Sequence, residues 1–163
     1  MIKTEINVEW AEAALVALSR SLTDMTPVME KIGEALVDRN QQGMLAGESP
    51  DGSFYAPRSP VTIARYQRLK MSYGLPLDVQ GDMRNDIFHQ ADATEVNWGS
   101  NAIQAAVMQF GAVKGAFGTA PNGSSIPWGT IPARPFIGVS AEDQVHILDL
   151  LEKWLEGAAD NAP

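Results

Sequence analysis

Apolar and polar positions alternate over Ile2, Thr4, Ile6 and Val8, which predicts a short half-buried strand. The period then lengthens. From Trp10 to Leu22 an alanine-rich stretch places Ala14, Leu15, Leu18 and Leu22 on one stripe, the mark of an amphipathic helix that begins near Asn7 or Glu9. Thr26-Pro27 supplies an N-cap and a first-turn proline for a second helix reaching about Gln42, with Val28, Met29, Ile32, Leu36 and Val37 inward and Gly43 as its stop. Glycines and prolines then punctuate 43–60 as a loop that turns at Asp51-Gly52. Ser59-Pro60 opens a third helix through Lys70, with Arg65 and Arg68 on one face, and Gly74-Leu75-Pro76 ends it.

An amphipathic helical piece from Asp82 to His89 carries Met83, Ile87 and Phe88, and the alternation of Thr94, Val96 and Trp98 predicts a strand after it. Gly99-Ser100-Asn101 turns the chain, and Asn101 is placed to cap a helix from Ala102 to Phe110 whose face is Ile103, Ala106, Val107 and Phe110. Gly111 to Thr130 is a long loop with five glycines, and its apolar Phe117, Ile126 and Trp128 predict that it orders on a partner. Pro132 and Pro135 remove two backbone donors from Ile131–Ser140 and hold the preceding residues extended, so this stretch suits an edge strand or a short pinned approach to one. Ser140-Ala141-Glu142-Asp143 approximates a capping box that opens a last helix to Glu156, with Val145, Leu148, Leu151, Trp154 and Leu155 inward. The order of elements predicts an α+β fold, a small antiparallel or mixed sheet packed with helices and two long loops, as a single domain over 1–157 with a frayed tail at 158–163.

Bulk properties narrow the function. The 163 residues suffice for one domain with a core, and 45% apolar with 20% charged is an ordinary globular composition. No apolar run is long enough to span a bilayer and the first residues lack a signal-peptide pattern, so the expected location is the cytoplasm where the chain is made. Without cysteine there is no disulfide, thiolate metal site or thiol nucleophile. A net charge of −8 opposes non-specific nucleic-acid binding. Against that balance stands a basic, aromatic island: Gly52 to Leu77 holds no acidic residue but contains Arg58, Arg65, Arg68, Lys70, Tyr55, Tyr66 and Tyr73. Such an island can meet a nucleic-acid backbone or an acidic neighbour; the plainer alternative packs Tyr66 inward and leaves Arg65 and Arg68 in water.

Catalytic patterns are missing. No phosphate-binding glycine loop, dinucleotide fingerprint or nucleophile elbow occurs, and His89 and His146 lack metal spacing. The carboxylate pairs Asp82/Asp86 and Glu152/Glu156 read as solvated helix faces. A metal-dependent enzyme using Asp82, Asp86 and His89 is the remote alternative, and no cofactor is expected. Arg134, fixed between Pro132 and Pro135, is suited to a bidentate carboxylate bond, either to another subunit or to Glu142 or Asp143 of its own chain. Pro135, Phe136, Ile137, Phe117, Trp128, Arg65, Arg68 and Tyr66 join it as candidate interface residues, with Phe136 read as core within its own subunit.

Five ordered motifs carry a family resemblance. They are Pro50-Asp51-Gly52-Ser53-Phe54-Tyr55-Ala56-Pro57 with Pro60-Val61-Thr62 after it, and Leu77-Asp78-Val79-Gln80-Gly81-Asp82-Met83-Arg84-Asn85-Asp86-Ile87. Trp98-Gly99-Ser100-Asn101 and Ala105-Ala106-Val107-Met108-Gln109-Phe110-Gly111 follow, and Ile131-Pro132-Ala133-Arg134-Pro135-Phe136-Ile137-Gly138-Val139-Ser140 closes the series. In this order the chain resembles the phage virion morphogenesis family of tail-completion proteins. Met83 stands where that family usually has Leu, a swap cores tolerate. The resemblance implies a structural, non-enzymatic protein of the virion neck or tail end, assembled in the host cytoplasm. It implies a tail terminator that caps the tail tube and joins it to the head, with a head-side connector or stopper as the alternative. It further implies a homo-oligomeric ring, six copies favoured over twelve, with the tail tube protein and head-tail connector proteins as partners and no membrane. Genomic DNA would pass through the lumen without specific binding, eased by like charge if the acidic faces line it.

Overall fold

A computed structural model describes residues 8–160. Eight elements follow one another: α1 (Glu9–Thr23), α2 (Thr26–Ala46), α3 (Pro60–Arg68), α4 (Asp82–Asn85), β1 (Ile87–Ala91), β2 (Val96–Ser100), α5 (Ala105–Phe110) and α6 (Ala141–Asp160). The fold is α+β, with helices around a two-stranded antiparallel sheet. The strand expected over Ile2–Val8 lies outside the described residues except for Val8, whose helical backbone leads into α1.

Local chemistry explains where the helices begin and end. Ser59 Oγ accepts from Thr62 N at 3.2 Å and Pro60 occupies the first turn of α3, a cap that stabilises by about 1 kcal/mol. Asp24 Oδ1 accepts from Thr26 N at 3.0 Å where α2 begins. Gly43 does not stop α2, which continues to Ala46; Gly47, at φ +76°, is the residue that takes the left-handed conformation after it. α2 buries Val28, Ile32, Leu36, Asn40 and Met44, one residue every turn.

Contacts divide the chain into two units, each assembled from separated stretches. Among the described residues, one comprises 8–35, His89–Asn97 and 142–160. Here Met25 N donates to Ala93 O, and His89 Nε2 lies 2.8 Å from Glu30 Oε2. Gly33 is required on α2 because a Cβ there would sit 2.4 Å from the His89 ring. Asp92 Oδ1 accepts from the backbone of Thr94 and Glu95, closing the turn between β1 and β2. α1 contains no buried residue: Leu15 and Leu22 of its predicted inner stripe are exposed, as is Trp10. On α6, Val145 and Leu148 face out while Leu151, Trp154 and Leu155 are half-buried. That helix runs through Gly157 to Asp160.

The second unit, Leu36–Phe88 and Trp98–Ala141, holds a core of Met44, Tyr55, Met83, Ile87 and Phe136, with Leu77, Ala105, Met108 and Ile137 packed around it. Two expectations change here. The predicted helix over Asp82–His89 ends at Asn85 and the chain becomes β1, because Met83 and Ile87 fill the core from different elements. The predicted face of the Ala102–Phe110 helix is reversed. Ile103 is 98% and Phe110 80% exposed, while Ala102, Ala105 and Met108 pack inward. The helix also begins later than expected, at Ala105 with Gln104 at its N-cap and no side-chain cap bond, so Asn101 does not cap it; Ser100 Oγ accepts from Ala102 N at 3.2 Å in the turn before it.

Candidate assembly surface

The proline-arginine segment 131–140 is not a strand. Ile131 forms an isolated bridge to Ala112 and Arg134 N donates to Met108 O, but no ladder continues and the rest is irregular. Its other partners are side-chain amides. Gln109 Oε1 accepts from Phe136 N at 2.9 Å and Ile137 N at 3.1 Å, while Gln109 Nε2 donates to Ile137 O at 2.9 Å. Asn40 does the same one residue further on: its Oδ1 accepts from Gly138 N at 2.9 Å and its Nδ2 donates to Gly138 O at 3.2 Å. Prolines at 132 and 135 cannot donate, so two amide side chains satisfy groups that a neighbouring strand would otherwise serve. Gly138 also lies so close to Pro50 that a Cβ would fall 2.9 Å from its ring.

Arg134 belongs to this clasp. Its Nε donates to Ala56 O at 2.7 Å and its Nη2 to Pro57 O at 2.8 Å, with a longer contact from Nη1 to Pro132 O, and its own N–H goes to Met108 O. The expected carboxylate bond is therefore replaced by carbonyl oxygens, which lock the 47–59 loop to the segment. Burial lowers the guanidinium pKa from its ordinary value, and the charge of Arg58 lowers it further. Phe136, 1% exposed, is core. Of the predicted interface residues in this segment, Arg134 and Phe136 thus face into their own chain, Ile137 is half-buried and Pro135 is exposed.

The remaining predicted residues lie at the surface. Phe117 and Trp128 are 58% and 64% exposed on a loop that folds back on itself through Phe117 N to Ile126 O and Ala120 N to Ser124 O. Val113 and Phe110 extend the same kind of exposed apolar surface. Arg65 and Arg68 are exposed on α3, and Tyr66 between them is half-buried. The rings of Tyr66 and Tyr73 meet at 5.0 Å between centroids, tilted by 45°, with the Arg58 guanidinium 5.7 Å and 5.2 Å from their centres. Arg58 also donates to the carbonyls of Gly74 and Leu75. The basic island is therefore split. Arg58 is spent on internal structure, whereas Arg65 and Arg68 face water.

A cleft of about 670 Å³ opens beside α3 and is lined by Tyr66, Leu77, Met83, Met108, Trp128 and Arg134, among others. Its lining is mixed, and its one carboxylate is Asp82. Among the described residues no group of three His, Asp or Glu side chains is placed to hold a metal. The loose Asp82, Asp86 and His89 cluster is not on one helix, since α4 stops at Asn85 and His89 sits on β1. Asp86 accepts from Ser100 Oγ at 3.0 Å instead.

This arrangement is an internal clasp with exposed apolar loops around it, and comparison with known proteins gives it a setting. The model of the phage virion morphogenesis family matches residues 6–156. The chain belongs to that family. It is similar to the Mu-like prophage FluMu G protein 2 of Haemophilus influenzae, with 26% identity over 157 residues, 96% of this chain and 97% of that protein. No solved structure matches. Family membership makes the chain a phage virion assembly protein of a structural family. No helix among the described residues is long and apolar enough to cross a membrane.

Proposed function

We propose that this member of the family is a tail terminator, a ring of copies at the neck that caps the finished tail tube and joins it to the filled head. The observation that carries the reading is the match to the family over residues 6–156. The surface supports it. Phe110, Val113, Phe117 and Trp128 expose apolar area on one unit, the kind of patch that marks a protein contact. A ring needs two different patches per subunit that close by rotation, and six copies is the favoured number. The tail tube protein and a head-tail connector protein are its partners, the role is non-enzymatic, and DNA passes through without specific binding because the chain carries a net charge of −8.

Inactivating the gene in its phage and imaging the lysate by electron microscopy tests the assignment. DNA-filled heads beside unattached tails of irregular length are the expected result. Leaking heads beside finished tails would move the protein to the head side as a stopper.

A further inference from the structure

Charge is divided between the two units far more unevenly than the chain total suggests. Described residues of the unit containing α1 and α6 carry thirteen carboxylates against three basic side chains, whereas the unit containing α3 carries six against eight. Two exposed helix faces, one in each unit, carry charges of opposite sign. On α3, Val61, Arg65, Arg68 and Leu69 follow at helical spacing along one side, with Val61 58% and Leu69 51% exposed. Neither Arg65 nor Arg68 pairs with a carboxylate among the described residues, and no acidic residue occurs between Gly52 and Leu77 to neutralise them. On α6, Val145, Leu148, Glu152 and Glu156 form a comparable line, with Val145 68% and Leu148 65% exposed. The one lysine nearby, Lys153, is bound to Asp149 at 2.8 Å, so this face keeps its negative sign.

We propose that α3 of one copy docks against α6 of the next, head to tail. The proposal rests on the ring reading above and names the contact that builds it. The two faces match in kind, each with a pair of large aliphatic side chains and a pair of exposed charges, and they are opposite in sign. Each also repels itself. Two copies of the α3 face would oppose guanidinium groups, and two copies of the α6 face would oppose carboxylates, so a two-fold pairing through either is disfavoured and a repeating head-to-tail contact is favoured. DNA suits α3 less well, because phosphates have no use for Val61 and Leu69 and two exposed arginines make a weak footprint on a chain of net charge −8.

The absence of cysteine permits a clean test in assembled particles. Phage carrying Leu69→Cys together with Leu148→Cys is treated with a short bismaleimide and the protein is resolved by denaturing electrophoresis. A ladder rising beyond the dimer is expected from the double variant, with no product from either single variant. Crosslinking confined to one chain, a dimer from a single variant, or no product would overturn the docking. Charge reversal provides the second arm. Arg65→Glu with Arg68→Glu, and Glu152→Arg with Glu156→Arg, should each lower plaque titre at least 100-fold while melting within a few degrees of the parent. All four changes in one chain should restore the titre to within tenfold, and no rescue overturns the pairing. If the α3 reversal abolishes binding to duplex DNA yet leaves the protein at full copy number on tails, α3 is a DNA contact and the proposal fails. Rings seen at the tail end without the ladder would remove this contact alone and leave the terminator assignment intact. Wild-type particles lacking multiple copies at the tail end would remove both.

Discussion

The loop 111–130 and the segment 131–140 are neighbours in the chain, both irregular, both with two prolines and large apolar side chains, yet they have opposite fates. Phe117 and Trp128 stand in solvent on the first, whereas Phe136 on the second is buried beside Met44, Tyr55, Met83 and Ile87. The first bonds mainly to its own backbone; the second is held by Gln109, Asn40 and the Arg134 guanidinium. A non-regular segment goes inside when something outside it satisfies its peptide groups, and hydrophobicity by itself does not decide the matter.

The largest effect should come from breaking that contrast at its anchors. Phe136→Ala is expected to cost about 3–5 kcal/mol in denaturant unfolding, whereas Phe117→Ala should fall within about 0.5 kcal/mol of the parent. Similar losses at both sites would show that the loop is as structural as the segment. Next in size is Gln109→Ala, which leaves the N–H groups of Phe136 and Ile137 without their acceptor. Two buried donors at about 1–3 kcal/mol each, partly relieved by water, give an expected loss of about 2–3 kcal/mol with no change in helix content by circular dichroism. Trp128→Ser should move stability by less than about 0.5 kcal/mol. It should nevertheless reduce the number of finished particles, and slower hydrogen exchange across 111–130 in particles than in the free subunit would confirm that this loop orders on assembly.

Two smaller effects follow. Tyr55 has its hydroxyl buried without a hydrogen-bond partner among the described residues, and burial pushes its pKa up. Tyr55→Phe removes that donor and should be neutral or stabilising by up to about 1 kcal/mol. The last concerns acid. Hydrogen bonds from Thr26, Ser53 and Thr94 with Glu95 lower the pKa values of Asp24, Asp51 and Asp92 respectively below their ordinary range. Groups depressed in the folded state stabilise it fully above their unfolded pKa of about 3.9, and that contribution is lost as pH falls through the folded values. A melting temperature flat from neutrality to about pH 5 and falling only below about pH 4 is expected; a decline beginning near neutrality would implicate other groups.

Much of the framework was legible from caps and periods. Ser59-Pro60 marked its helix because its chemistry is local, and Asp51-Gly52 marked its turn for the same reason; Thr26-Pro27 marked the start of α2, but Thr26 is the first helical residue and not its cap, and Asp24 takes up its N–H. Errors came where a residue's surroundings are set by distant parts of the chain. Met83, Ile87 and Phe88 fit a helical face, but Ile87, His89 and Ala91 also alternate, and the pattern alone did not choose between them. The face of α5 was reversed because the small residues Ala102 and Ala105 pack inward, allowing close approach, while the large Ile103 and Phe110 face out. The clasp has one signal in the sequence. Asn40 interrupts an otherwise apolar four-residue repeat from Val28 to Met44, and a polar residue on a buried stripe implies a bond to be made. Gln109 carried no such mark. Reading Arg134 as a carboxylate ligand followed from its charge, whereas the fold uses its planar fork on carbonyls.

The amide clasp has a bearing on how copies avoid one another. An extended hydrophobic stretch completed by a partner strand would offer its other side to any chain that came near, inviting indiscriminate pairing before particles form. Because Asn40 and Gln109 take up the peptide groups of Phe136, Ile137 and Gly138 individually, this stretch cannot act as a template for further strands. Sociability is thereby reserved for side chains, and the backbone of this motif stays silent.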